Sequence, residues 1–154
     1  MLIHTVKWIS KINWGRVALV GVVYTIIATA VHQIEAIASL RYYMMPQYYG
    51  AWSKLMMPAV GPPPADFFIT STIITLTTGI SLSLVYYYIR DMLPKKAHER
   101  ILLFADLMIG LQFIFFTLPV YLLFNVPIEL LISWFISNFL ILVVTSFICV
   151  RIVK

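Results

Sequence analysis

His32 and Glu35 stand three residues apart near the end of a long apolar run, a spacing that places both on one side of a helix. Thr25 and Thr29 continue that side inward, and the polar stripe is expected to face other helices. Asp66 and Glu129 open later apolar runs at the same depth, so one histidine and three carboxylates, His32, Glu35, Asp66 and Glu129, come into question together. Such a set could hold a divalent metal or relay a proton. The plainer reading is a histidine hydrogen-bonded within a helical bundle and carboxylates that cap helix starts. Asp106 is a separate candidate. It sits inside another apolar run with no basic residue one turn away, so its partner must be another helix, water or a bound proton. Gly110, Phe113 and Thr117 share its side of the helix.

The elements that position these residues are read from composition. The chain has 154 residues, 62% of them hydrophobic and only 11% charged. Soluble domains average about 45–50% apolar and about 25% charged residues. A chain this small leaves much of its surface exposed, so water is the wrong solvent for this composition and lipid the right one. A span needs roughly 20 apolar residues at about 1.5 Å each. Four segments qualify: about 17–38, 67–89, 101–124 and 128–150. Residues 1–154 are read as one all-α membrane domain, an integral membrane antiparallel four-helix bundle.

The connections agree with that architecture. Pro62-Pro63-Pro64 stops any preceding helix, and Asp66 is placed to cap the second span. A charged turn, Met92–Lys96, links spans two and three, and Asn125-Val126-Pro127 links three and four. Pro119 predicts a kink in the third span, with a freed carbonyl near Phe115. Residues 1–15 alternate apolar and basic faces and read as an amphipathic interfacial helix carrying Trp8 and Trp14. The basic start, the apolar run and Ala28-Thr29-Ala30 imitate a secretory signal, but the run is read as the first span. The loop 39–66 is rich in tyrosine and methionine and reads as an element lying on the membrane face. In the second span, Thr72, Thr75, Gly79 and Ser83 form a small-residue seam for helix packing.

Basic residues orient the chain. Lys7, Lys11, Arg16, Arg90, Lys95, Lys96, Arg100, Arg151 and Lys154 fall on one side, and only Arg41 and Lys54 on the other. The positive-inside rule then puts both termini in the cytoplasm, in the cytoplasmic membrane if the cell is prokaryotic. Counted from Arg16, His32 lies about 24 Å and Glu35 about 29 Å up the first helix. Glu35 is thus at the far boundary of a core about 30 Å thick. Asp106 lies about 9 Å past Arg100. The positive charge clusters at span ends, which points to lipid and not to nucleic acid.

Several chemistries find no support. A di-haem bundle needs histidines on facing helices; the chain has His4 before the first span, His98 in a turn and only His32 inside. The single Cys149 excludes dithiol chemistry within the chain. No HExxH, GxSxG or phosphate-loop pattern occurs, and no cofactor is expected.

The stretches Val85-Tyr86-Tyr87-Tyr88-Ile89-Arg90, Leu118-Pro119, Asn125-Val126-Pro127-Ile128-Glu129 and Ser133-Trp134-Phe135 resemble a loose group of small four-span membrane proteins of bacteria and archaea. That resemblance covers about residues 16 to 153. It implies the four-span fold and supplies no catalytic residues. The function expected on these grounds is a non-catalytic structural or accessory subunit of a larger membrane complex, partnered by lipid and by other subunits or further copies. Two alternatives stay open: a small oligomeric carrier or channel using Asp106, and a metal- or cofactor-holding membrane enzyme subunit using His32.

Overall fold

The computed structural model describes residues 12–53, 55–57 and 62–153. They form helices α1 (Trp14–Ala38), α2 (Leu40–Tyr43), α3 (Ala65–Ile89), α4 (Ala97–Gln112), α5 (Leu118–Leu123) and α6 (Ile128–Ile152), with no strand among them. A 3₁₀ turn, Pro46–Ala51, follows α2. A π-helical turn, Phe113–Thr117, joins α4 to α5 into one rod, Ala97–Leu123. That rod, α1, α3 and α6 are each long and apolar enough to cross a membrane, as an integral membrane bundle requires. Helices suit this solvent because each satisfies its own backbone groups.

Three of the four span helices start earlier than the hydropathy alone predicts, at Trp14, Ala65 and Ala97, and α6 starts at Ile128 as expected. Asn13 caps α1: its side chain accepts from the Arg16 backbone N–H at 3.1 Å. The interfacial helix expected over 1–15 lies largely outside the described residues; of its end, Ile12 and Asn13 are not helical, and Trp14 and Gly15 belong to α1. Asp66 is not the cap of the second span. The helix begins at Ala65 with Pro64 as N-cap, leaving Asp66 in the first turn, where its charge still opposes the helix dipole. Pro127 caps α6 in the same way, with Glu129 in the first turn.

The kink expected at Pro119 takes the form of the π turn just before it. Proline has no N–H to donate and its ring crowds the carbonyl four residues back, here Phe115. A widened turn at Phe113–Thr117 accommodates both, and Gln112 Nε2 donates to Thr117 Oγ1 across it at 3.2 Å.

Helix α1 packs against both α3 and α6, and α6 packs against α4. The start of α1 (Val17, Val20), the end of α3 (Tyr86, Tyr87), the start of α4 (Phe104, Met108) and the end of α6 (Cys149, Val150) share one cluster. Tyr86 meets Phe104 edge to face at 5.2 Å between ring centres. This cluster marks the termini end of the bundle; the opposite, loop end carries residues 39–57 and the α5–α6 turn.

Close approach of α1 and α3 depends on two glycines. A Cβ on Gly79 would stand 2.7 Å from Cβ of Tyr24, and one on Gly21 would stand 2.7 Å from Cγ1 of Ile80. In lipid such contact supplies dispersion energy where the hydrophobic effect is absent. Of the small-residue seam, Gly79 and Ser83 are buried, Thr75 is half-buried and Thr72 is exposed. Four of the five threonine hydroxyls of α3 are satisfied by their own helix: Thr72 donates to Phe68 O at 2.7 Å, Thr75 to Ser71 O at 2.7 Å, Thr77 to Ile73 O at 2.8 Å and Thr78 to Ile74 O at 2.9 Å. Outward-facing threonines therefore add no unsatisfied polar group to the bundle surface.

Candidate functional site

Glu35, in the last turn of α1, is the one acid of the sequence-derived set that enters the protein interior; its residue is 6% exposed. Its oxygens are taken by two neutral donors from other elements. The Tyr43 hydroxyl donates to Oε2 at 3.2 Å, and the Ser133 hydroxyl donates to Oε1 at 2.9 Å. Each donor is itself supplied from behind. Trp134 Nε1–H donates to the Tyr43 hydroxyl at 2.7 Å, and the Ser39 hydroxyl donates to that of Ser133 at 3.1 Å. Two relays thus converge on one carboxylate, and in each relay a hydroxyl accepts from one side and donates to the other. Such chains polarise cooperatively, and the low local dielectric makes every link costly to break.

The elements that bring these groups together are distant in sequence. Ser39 lies one turn beyond Glu35, at the break between α1 and α2. Tyr43 ends α2, so the turn at Ser39 aims its ring back over the carboxylate. Ser133 and Trp134 come from the second turn of α6. Trp52, just past the 3₁₀ turn, closes the node: its ring lies 5.1 Å from that of Tyr43 and 6.2 Å from that of Trp134. Phe116 of the π turn reaches Trp134 at 6.3 Å. The aromatic loop is therefore held on the bundle through α2 and Trp52. Burial is the largest influence on Tyr43 and pushes its hydroxyl well above its ordinary value of 10.0, which keeps it protonated as a donor through neutral pH. The indole Nε1 of Trp52 is buried without a hydrogen-bond partner among the described residues. Chemically the node is a latch. Both carboxylate oxygens accept hydrogen bonds from within the chain, and the donors around them are neutral.

The other members of the set go elsewhere. His32 is exposed, not turned inward with Glu35. Three residues at about 100° each leave the two side chains about 60° apart around the helix, enough to cross from the buried stripe to the outer surface. Thr29 is exposed with it, while half-buried Thr25 donates to Gly21 O of its own helix at 2.8 Å. The polar stripe expected to face other helices is thus split, with only its Glu35 end inside. Asp66 and Glu129 are exposed in the first turns of α3 and α6. Among the described residues no three His, Cys, Asp or Glu side chains gather as a metal-holding group, so His32, Glu35, Asp66 and Glu129 are not brought together as ligands.

Asp106 faces outward. Phe104, Ala105 and Met108 carry the buried side of α4, and Asp106 lies about 200° around the helix from Phe104. It is exposed and has no hydrogen bond or ion pair with any described residue. Gly110, one turn on, is exposed as well, and a Cβ placed there would meet nothing within 4 Å.

Sequence reasoning found Glu35 and missed its partners Ser39, Tyr43, Trp52, Ser133 and Trp134. A usable signal existed: Ser39 is one turn past Glu35, and Ser133 is one turn past Glu129 at the depth assigned to Glu35. Comparison with protein-family models, with curated proteins and with solved structures found no match to this chain.

Proposed function

We propose that this chain is a non-catalytic integral membrane subunit that works in association with other membrane chains. The observation that carries this reading is Asp106: a carboxylate about 9 Å along the helix from Arg100, turned away from its own bundle and without a partner among the described residues. A charged side chain costs about 2.5–3.5 kcal/mol at the centre of a span and less towards its ends, and the short aspartate stem cannot snorkel as lysine and arginine do. A partner chain that covers Asp106 removes that cost. The Glu35 node supports the same reading from the other end, since its carboxylate is occupied within the chain and serves to hold the loop. In this reading both termini lie in the cytoplasm, consistent with the nine basic residues on that side.

Native mass spectrometry of the gently solubilised protein from its own membranes tests the proposal. A defined assembly with other membrane chains is the expected result. A lone monomer in every mild detergent would contradict it.

A further inference from the structure

The outward face of α4 is specific enough to describe its partner, on the reading that the chain is a subunit. Leu103, Asp106, Leu107, Gly110 and Ile114 recur at three- and four-residue intervals, and all are exposed. This is the lane that a second helix packs along. Gly110 has a use here that the chain itself does not make. Gly21 and Gly79 each meet a neighbouring helix, whereas the space around Gly110 is open. Glycine weakens a helix interior, and in membrane helices it marks places where backbones approach closely. Asp106 one turn away adds a carboxylate with no counterpart among the described residues.

We infer that the Asp106–Gly110 face of α4 docks a transmembrane helix of another protein that carries a lysine or arginine at the same depth. Charge selects this occupant. Acyl chains leave the carboxylate without a partner, and a second copy apposed through the same face would set Asp106 against Asp106, two like charges. A basic side chain on a close-packed helix neutralises the acid, and Gly110 lets the two backbones approach. Long lysine and arginine stems also span the remaining distance where the helices cross at an angle.

The full chain in phosphatidylcholine vesicles tests this by fluorescence transfer to two synthetic leucine-rich transmembrane peptides. One peptide carries a single lysine six residues in from its basic flank, and the other carries leucine there. The lysine peptide is expected to associate at least about tenfold more tightly. Asp106→Asn should erase that difference, and Gly110→Leu should weaken the lysine peptide's association. Both positions are exposed, so unchanged helix content in both variants is expected and separates docking from folding. Equal association of the two peptides overturns the inference, as does a lysine preference that survives Asp106→Asn. Association of the chain with itself, abolished by Asp106→Asn without any peptide present, overturns it in favour of a second copy. The broader subunit reading fails only if no other chain accompanies the protein from its own membranes, which the peptides do not measure.

Discussion

Glu35 is 6% exposed and receives hydrogen bonds from Tyr43 and Ser133, whereas Asp106 stands on the outward face of α4 with no partner among the described residues. Both are carboxylates set in apolar helices. The difference lies in what surrounds them. Around Glu35, the loop and α6 supply two hydroxyls, an indole N–H and three rings in tilted and edge-on contact. Around Asp106, the helix supplies leucines and an open glycine. An acid inside a span thus has two solutions: to be satisfied by its own fold, at the cost of a built network, or to be left for another molecule. The threonines of α3 show a third way that acids lack, bonding back to their own helix.

The contrast can be broken by substitution. The largest effect is expected at Glu35. Glu35→Ala strands the Tyr43 and Ser133 hydroxyls at about 1–3 kcal/mol each, so a loss of about 3 kcal/mol is expected in unfolding of the detergent-solubilised protein. A loss below about 0.5 kcal/mol would show that the latch does not hold the loop. Gly79→Ala comes next. Its new Cβ would meet the near end of the Tyr24 side chain, which cannot swing away, and overpacking of this kind costs about 1–3 kcal/mol. Tyr43→Phe removes one link from each side of the relay and is expected to cost about 1–2 kcal/mol. It also carries a pH signature. The Tyr43 hydroxyl titrates above its ordinary 10.0 in the folded protein, so its contribution is complete below about pH 10 and is lost as pH rises beyond that. The stability gap between wild type and Tyr43→Phe should therefore be flat from pH 7 to 9 and narrow above pH 10. Asp106→Asn should leave the stability of the isolated chain within about 0.5 kcal/mol, as an exposed site does. Trp52→Phe should cost less than Tyr43→Phe, since the packing lost with the five-membered ring is partly offset by removal of a buried N–H that has no partner among the described residues.

Much of this was legible in the residues. Four spans follow from apolar runs flanked by basic and proline-bearing turns, because length and hydropathy decide crossing almost alone. Three of the four starts moved by two to four residues, where Asn13, Pro64 and Lys96 stand as caps that hydropathy does not see, and the start at Ile128 did not move. Pro119 signalled an irregular third span, but the π turn that answers it depends on which backbone bonds yield. Glu35 was visible as a boundary acid; its partners were not, since Ser133 lies 98 residues away and meets it only through the packing of α1 on α6. The facing of His32 turned on about 60° of helix rotation, which spacing alone does not resolve. Gly79 and Thr72 look alike in a small-residue pattern, yet only the first touches another helix.

The most direct test compares wild type and Asp106→Asn by native mass spectrometry after gentle solubilisation from the protein's own membranes. Wild type should travel with another membrane chain, and Asp106→Asn should be released from it as a folded, loop-latched monomer. An assembly that survives Asp106→Asn unchanged, or a wild type that travels alone, would contradict the division of labour between the two acids.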